Sequence, residues 1–290
     1  MLFITGITGL TGRFLLDALR EAGYDGPIRC LVRERSDISW IRDPGVELYK
    51  GDVTDVGSLV PGLQGADGVI HLVNIRSSPQ IIRACREAGV KRAVFVNTTG
   101  IYSKYQKYSG EYKILEQGIQ QSGLDYTMIR PTMIYGNQRD KNIHKLVLVI
   151  DRYPVVPMIG TGNSLMQPIY AQDLARSLAS AWLRPAAVGR AYNVVGKEPV
   201  AYAMILSLIA DVLKKRRAFV RVPYGLALLA GYVGEVIPNG LLDTEKVKRL
   251  REDKAFSYDE AARDLGFAPR PFEEGIVLEI AALRQAGLIR

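Results

Sequence analysis

Apolar runs alternate with helical patterns through the first half of this 290-residue chain. Strand-like runs cover residues 2–5, 28–33, 46–49, 68–73, 93–98 and 126–129. Apolar positions recur at helical spacing between these runs, for example over residues 79–88 and 111–121. Nearly continuous apolar strands separated by helices predict a parallel sheet that is covered on both faces. We therefore expect an α/β fold built on a doubly wound parallel sheet, with ligands at the carboxyl ends of the strands.

Three glycines spaced three apart, Gly6, Gly9 and Gly12, follow the first strand. In a strand–turn–helix unit the first glycine permits a tight turn and the second lets the backbone approach a pyrophosphate. The third lets the helix pack close to the strand, and free N–H groups at the helix start bind phosphate. Apolar residues recur at helical spacing from Phe14 to Ala22, so the required context is present. The motif predicts a dinucleotide phosphate site.

Motifs along nearly the whole chain resemble those of the short-chain dehydrogenase/reductase superfamily, in its extended and atypical branches. The glycine turn has the form T-G-x-T-G-x-x-G, residues 51–55 resemble G-D-[LV]-x-D, residues 130–136 resemble R-P-x-x-[IV]-Y-G, and residues 167–175 resemble P-[IV]-x-V-x-D-[LV]-A. The resemblance implies a Rossmann domain over residues 1–136, to whose sheet later segments return. It further implies a mixed region over residues 137–290 that includes a small C-terminal substrate-binding lobe.

The resemblance also implies a nicotinamide cofactor, with the first aspartate of the second motif at its adenine. The implied cofactor-binding residues are Gly6, Thr8, Gly9, Leu10, Thr11, Gly12, Arg33, Asp52, Val53, Leu72, Val73, Asn74, Lys113, Pro131, Thr132 and Met133.

Cofactor choice depends on the end of the second strand, where Arg33, Glu34 and Arg35 stand. A carboxylate at this place binds the ribose hydroxyls of NAD, whereas a guanidinium fork binds the 2′-phosphate of NADP. Arg33 favours NADP. NAD remains possible, because Arg33 can instead stack on adenine and Glu34 can serve a ribose.

Catalysis in the resembled family uses a Ser or Thr at the end of the fifth strand and a Tyr four residues before a Lys. Thr98 and Lys113 match the first and last of these, but Ser109 stands where the Tyr is expected. Three interpretations stay open. Tyr108 is the proton donor if the helix begins irregularly at residues 109–110, or Tyr112 is the donor with an altered cofactor pose, or the chain has no conventional Tyr acid.

The resemblance therefore implies an NADP-dependent oxidoreductase or epimerase acting on a sugar-like, nucleotide-linked hydroxyl or carbonyl. Thr98, Tyr108 and Lys113 are the predicted catalytic residues, and Asn142 and Gln167 the predicted substrate-binding residues. The alternative is a non-catalytic NADP(H)-binding redox sensor or assembly factor of the atypical branch.

Composition argues against several other classes of protein. The net charge of +8 is spread along the chain without an aromatic-interleaved basic patch, so a nucleic-acid partner is not expected. Two cysteines and two histidines give neither a disulfide framework nor metal-ligand spacing. No apolar stretch reaches the length of a membrane span, and no signal peptide is recognised, so the expected location is the cytoplasm. A homodimer is possible.

For several further residues the sequence predicts a structural position. His71 is expected to pack in the interior, Glu116 and Asp125 to lie on the surface, and Asp173 to begin a helix. The apolar run over residues 224–233 is interpreted as a buried lobe helix or dimer interface, with membrane-surface contact as the alternative.

Overall fold

A seven-stranded parallel sheet forms the centre of the computed structural model, which describes residues 1–236 and 243–290. The strand order is β11-β6-β5-β4-β1-β2-β3. The direction of winding reverses between β1 and β4, which opens a crevice at the carboxyl ends of these strands. The strands are β1 (Leu2–Thr5), β2 (Ile28–Val32), β3 (Val46–Lys50), β4 (Gly68–His71), β5 (Arg92–Val96), β6 (Asp125–Pro131) and β11 (Arg190–Val194).

Helices cover both faces of the sheet, which confirms the doubly wound fold. One apolar layer packs α1 (Gly12–Glu21), α6 (Ala171–Leu183) and α10 (Asp259–Leu265) against the strands. The opposite layer packs α2 (Val56–Leu63), α3 (Ser78–Ala88) and α4 (Ser109–Gln120).

A separate apolar core holds the lobe. Its helices are α5 (Ile143–Arg152), α7 (Tyr202–Val212), α8 (Tyr224–Val236), α9 (Thr244–Arg249) and α11 (Phe272–Gln285). Three two-stranded sheets accompany them: β7 (Ile134–Tyr135) with β10 (Ile169–Tyr170), β9 (Leu165–Met166) with β12 (Val200–Ala201), and β8 (Val155–Ile159) with β13 (Ala218–Val222). In the described part of the chain, no helix is long and apolar enough to cross a membrane.

Three predicted strands end earlier than expected, at Val32, His71 and Val96. Leu72 and Asn97 still donate to the neighbouring strands, at the Thr5 and Ile129 carbonyls, before the backbone turns away. Elsewhere, local partners take the backbone groups that follow the strand ends. The N–H of Arg33 donates to the Ser36 hydroxyl at 3.0 Å, and Thr98 caps a short 3₁₀ turn over Thr99–Tyr102. The predicted strand ends are therefore the loops that face the crevice.

His71 packs in the sheet interior as expected. Its Nδ1 lies 2.7 Å from the Thr5 hydroxyl and its Nε2 lies 3.1 Å from the Ser77 hydroxyl. Burial lowers the pKa of His71 to about 4, so the ring is neutral at physiological pH.

Glu279 is a buried polar group in the core of the lobe, as His71 is in the core of the sheet. Its side chain on α11 is fully buried, and within residues 1–236 and 243–290 neither carboxyl oxygen has a hydrogen-bond partner of conventional geometry. Burial, followed by the nearby Asp140 carboxylate, raises the pKa of Glu279 to about 10. The carboxyl group is therefore protonated at neutral pH.

Candidate active site

The glycine turn between β1 and α1 has the backbone that its motif predicts. Gly6 has a φ of +82°, and the N–H of Gly9 donates to the Gly6 carbonyl at 3.0 Å. A Cβ on Gly12 would lie 2.2 Å from the Ile7 carbonyl oxygen, so only glycine lets α1 approach the turn this closely.

In contrast to the close contact at Gly12, the space beside Gly9 is open. A Cβ there would meet only the Gly6 carbonyl oxygen, at 3.2 Å. Among the described residues, the N–H groups of Leu10 and Thr11 donate to no backbone carbonyl. The turn thus offers open space, free donors and the N-terminus of α1 together, which fits a pyrophosphate.

The end of β4 forms the floor of this turn. A Cβ on Gly6 would come within 3.0 Å of Val73 and 3.1 Å of Leu72, and the N–H of Leu72 donates to the Thr5 carbonyl at 3.1 Å. Asn74 follows with an exposed side chain whose Oδ1 accepts from the Arg76 N–H at 3.0 Å. All three predicted residues therefore lie at the carboxyl edge beside the glycine turn.

At the end of β2 the acidic residue is already engaged. Glu34 accepts from Lys50 at 2.7 Å. Arg33 and Arg35 are exposed, and neither side chain has a hydrogen-bond or ionic partner within residues 1–236 and 243–290. Two free guanidinium groups and a paired carboxylate leave this strand end positively charged.

Asp52 lies after β3 on the same edge. Its Oδ1 accepts from the N–H and the hydroxyl of Thr54 at 2.8 and 2.7 Å. These bonds, with a smaller contribution from Arg33, hold the pKa of the Asp52 carboxyl below its usual range. The neighbouring Val53 is half-buried.

Asp37 fixes the loop that carries the arginines, a contact that the sequence did not reveal. It accepts from Arg13 on α1 at 2.6 Å and from Arg139 at 3.4 Å, and the Arg13 guanidinium lies 5.1 Å from the Trp40 ring centroid. The loop after β2 is thereby held over the start of α1.

The segment after β6 uses its polar groups internally. The Pro131 carbonyl accepts from the Thr99 hydroxyl at 3.2 Å, the Thr132 hydroxyl donates to the Gln167 carbonyl, and the Met133 carbonyl accepts from the Ile169 N–H at 2.9 Å. These contacts tie the sheet edge to the lobe.

Gln167, a predicted substrate-binding residue, is held by the backbone at both ends of its amide. The side chain is buried, its Nε2 donates to the Gly196 carbonyl at 2.8 Å, and its Oε1 accepts from the Phe256 N–H at 2.8 Å. Because both ends of the amide bind the backbone, Gln167 joins three segments of the chain. Asn142, the other predicted substrate residue, is exposed directly before α5.

Thr98 and Thr99 differ in the freedom of their hydroxyl protons. Thr98 Oγ1 accepts from the Gly100 N–H at 3.0 Å, which leaves its own O–H available to donate. Thr99 is buried, and its O–H is used on Pro131. The geometry favours Thr98 as the hydroxyl for a substrate oxygen.

Tyr108 is the residue immediately before α4, which begins at Ser109. Its side chain is 40% exposed, and its ring centroid lies 6.4 Å from that of Tyr112. The exposed Lys113 is adjacent to Tyr112 on the helix, and no carboxylate within the described ranges pairs with it. The structure brings the two tyrosines together and leaves Lys113 on a different face of α4.

Arg76 contacts both tyrosines, a role that no sequence motif indicated, while Lys107 Nζ lies 5.7 Å from the Tyr108 ring centroid. The Arg76 Cζ lies 4.1 Å from the Tyr108 ring centroid and 5.5 Å from that of Tyr112. Two hydrogen bonds to Glu111, at 2.7 and 2.8 Å, hold the guanidinium in place and lower the pKa of the Glu111 carboxyl. One sequence signal could have identified Arg76: it lies just after β4, a strand whose carboxyl end faces the crevice.

Glu116 is buried, so the expectation of a surface position was wrong. It accepts from Asn97 Nδ2 at 2.6 Å and from the Arg130 guanidinium, and Arg130 also donates to the Tyr102 hydroxyl at 3.1 Å. Glu116 stands four residues after Tyr112 on the inward face of α4, which was the signal for its burial. Asp125 is exposed, and Asp173 is buried in the first turn of α6.

A carboxylate from the lobe anchors the tyrosine segment, which we define as residues 102–113. Glu252 accepts from the Ser103 hydroxyl at 2.6 Å, from the Lys104 N–H at 2.6 Å and from the Tyr105 N–H at 3.3 Å. The segment is therefore positioned by a residue about 150 positions away in the chain.

An open cleft of about 410 Å³ lies beside this segment. Gln167, Lys197, Pro199, Phe256, Ser257 and Tyr258 line it. The Phe256 ring packs against that of Tyr102, with centroids 5.3 Å apart. The cleft joins aromatic surface to one lysine and to one carboxylate, Asp259.

Comparison with known proteins defines the class. A family model described as NAD(P)H-binding matches residues 6–151, half of the chain. A 3β-hydroxysteroid dehydrogenase/decarboxylase of Arabidopsis thaliana is 25% identical over 81% of the chain, which spans 66% of that protein. A 3β-hydroxysteroid dehydrogenase/Δ5→4-isomerase of Mycobacterium tuberculosis is 24% identical over 92% of the chain and 85% of that protein.

Among solved structures, a UDP-glucose 4-epimerase from Thermotoga maritima, crystallised with UDP-glucose, superposes with a TM-score of 0.76. It is 17% identical, and the match covers 98% of this chain and 99% of that one. This likeness concerns the fold. The chain belongs to the NAD(P)H-binding family, within the extended, epimerase/dehydratase-like branch of the short-chain dehydrogenase/reductase superfamily. Its cofactor is a nicotinamide dinucleotide.

Proposed function

We propose that the protein is an NADP(H)-dependent oxidoreductase or epimerase that acts on a hydroxyl or carbonyl of a sugar-like, nucleotide-linked substrate. The observation that carries the cofactor preference is the paired Glu34 beside the free Arg33 and Arg35. A 2′-phosphate would find guanidinium donors there, and the nearest carboxylate in the sequence, Glu34, is neutralised by Lys50.

The glycine turn would hold the pyrophosphate through the Leu10 and Thr11 N–H groups, with Asp52 at the adenine and Leu72–Asn74 along the crevice. When bound, the nicotinamide ring supplies or accepts a hydride. The open space at Gly9 and the unused N–H donors support this fit.

Thr98 and Tyr108 would manage the proton. The free Thr98 O–H donates to the substrate oxygen and orients it. Tyr108 transfers the proton, and the adjacent Arg76 stabilises negative charge at the ring. Lys113 binds the ribose after a rotamer change that its exposure permits.

The lobe cleft is the proposed substrate site, with Asn142 as a further contact. Phe256, whose ring packs against that of Tyr102, offers an aromatic face for a flat ring, and Lys197 offers charge for a phosphate. The steroid names of the sequence relatives define a competing substrate class, an apolar hydroxyl or ketone without phosphate.

A second candidate function, a non-catalytic redox sensor, is favoured by one observation. No lysine stands four residues after Tyr108, and Lys113 contacts neither tyrosine ring within the described residues. Such a protein would bind NADPH firmly without turnover.

The deciding experiment measures NADPH oxidation with keto-sugar nucleotides, 3-ketosteroids and simple ketones, and measures cofactor binding separately by calorimetry. Turnover of a keto-sugar nucleotide that Tyr108→Phe abolishes supports the proposal. Turnover confined to ketosteroids corrects the substrate class. Firm NADPH binding without turnover across the panel favours the sensor, and equal affinities for NADPH and NADH contradict the cofactor assignment.

A further inference from the structure

The outer face of the β8–β13 sheet carries no charged side chain at its central positions. Val155 pairs with Ala218 and Pro157 with Val220. All four side chains are exposed, with Val155 at 53% and Val220 at 51%. Alternate residues of the same strands, such as Val156 and Met158, fill the lobe core. A half-exposed sheet usually places polar residues on its outer face, so this apolar face is unusual.

Helix α8 follows β13 directly and continues the apolar character. Leu226 and Leu229 are each 59% exposed and Tyr232 is 52% exposed, whereas Ala227 faces the interior. No charged residue occurs from Tyr224 through Gly234. We define the apolar lobe surface as two exposed apolar patches that follow each other along the chain: the exposed residues of the β8–β13 face, and Leu226, Leu229 and Tyr232 of α8.

Cations border this surface. Because β8 and β13 begin side by side, Arg152, Lys214 and Arg216 lie at one end of the sheet, and all three are exposed. Among the described residues, none of the three pairs with a carboxylate, while the nearby Asp151 is neutralised by Lys215. At the start of α8, the Arg251 guanidinium lies 4.9 Å from the Tyr224 ring centroid.

The charge pattern indicates which partner binds the apolar lobe surface. A second copy would bring the same cationic border against this one, at an electrostatic cost. An anionic bilayer instead complements both features, since its headgroups attract lysine and arginine and its acyl boundary accepts aliphatic side chains. Helix α8 has 13 residues and a length of ~20 Å, too short to cross the ~30 Å hydrocarbon layer. It would therefore lie along the interface.

We propose that the apolar lobe surface docks the protein on an anionic lipid bilayer, with Val155, Val220, Leu226 and Leu229 entering the headgroup–acyl boundary. This inference does not depend on the proposed function.

The test is flotation of the full chain with phosphatidylcholine vesicles that contain or lack phosphatidylglycerol. The unaltered protein should float with the anionic vesicles and should be released by high salt. The double variants Leu226→Asp/Leu229→Asp and Val155→Asp/Val220→Asp should each lose about tenfold or more of the binding. Arg152→Gln/Arg216→Gln should weaken binding to anionic vesicles only.

The matched control is Val277→Asp/Leu278→Asp on α11, which alters another exposed apolar pair of 50% and 42% exposure. It adds the same charge and should keep full binding. Circular dichroism and thermal unfolding verify that each variant is folded. The proposal is overturned if the unaltered protein does not float, or if folded aspartate variants bind like the control. It is equally overturned if light scattering shows a dimer that the same variants dissociate while vesicle binding is absent, which would make a second copy the occupant.

Discussion

The glycine turn and the tyrosine segment lie at the same edge of the sheet, yet they are constructed in different ways. The turn is made of backbone, and its contacts join residues a few positions apart, such as Gly6 with Gly9 and Gly12 with Ile7. The tyrosine segment is positioned by side chains from distant parts of the chain, Arg76 on one side and Glu252 on the other. Local backbone sites are readable from a motif, whereas a site assembled from distant side chains is not.

The largest expected effect separates two glycines of the turn. Gly12→Val places its Cβ against the Ile7 carbonyl and should prevent α1 from docking, which destabilises the fold by about 3 kcal/mol or more. Gly9→Val meets only one carbonyl oxygen and should stay folded while it fails to bind NADPH. Thermal unfolding and calorimetry measure the two effects. Equal loss of stability in both variants would contradict the separate roles.

The second prediction concerns the tyrosine segment. Tyr108→Phe should reduce turnover by a factor on the order of 10²–10⁴ and leave NADPH affinity nearly unchanged, because only the proton-donating hydroxyl is lost. Tyr105→Phe is the matched control, since Tyr105 is exposed in the same segment and should keep its activity. Turnover that survives in Tyr108→Phe but not in Tyr112→Phe transfers the role to Tyr112.

The third prediction tests the charge at the end of β2. Arg33→Ala should weaken NADPH binding by about ten- to a hundredfold, the value of a charge-assisted hydrogen bond, while NADH binding changes little. Arg35→Ala serves as the neighbouring control. A larger effect in Arg35→Ala would move the 2′-phosphate contact to that residue.

The fourth prediction weakens the long-range anchor of the tyrosine segment. Glu252→Gln removes the negative charge of the acceptor, so that three charge-assisted hydrogen bonds become neutral ones, at a combined cost of about 1.5–3 kcal/mol. Trypsin should then cleave after Lys104 and Lys107 several-fold faster, as measured by mass spectrometry of timed digests. Glu47→Gln, which alters an exposed carboxylate paired with Arg29, should not change these cleavage rates.

The smallest expected effect concerns one buried polar group in the core of the sheet and one in the core of the lobe. His71 in the sheet has hydrogen-bond partners on both nitrogens. The Glu279 carboxyl in the lobe lacks a well-aligned partner among the described residues, and burial and the nearby Asp140 raise its pKa to about 10. A raised pKa means that the protonated form stabilises the fold below pH 4.5, and this contribution is lost as the pH rises toward 10. Glu279→Gln should therefore raise the Tm by about 5 °C at pH 8 and by much less at pH 5. Parallel melting curves for both proteins at all pH values would refute the burial of a protonated Glu279.

The sequence by itself determined the sheet, its winding and the phosphate turn. Strand periodicity, glycine spacing and the helix that follows act over a few residues, so the pattern specifies their geometry. The sequence also specified Thr98, because it follows a strand whose carboxyl end must face the crevice. The interior position of His71 followed in the same way.

Only the tertiary structure decided the surroundings of Tyr108. Arg76, which pairs with Glu111 of the tyrosine segment, and Glu252 reach this segment from separate elements, and no local pattern encodes those distances. Burial likewise determined the hydrogen-bond partners of Glu116 and Gln167, which the sequence did not specify. A polar side chain becomes a structural bond when packing removes it from water and supplies partners, and that outcome depends on the neighbours that folding brings to it.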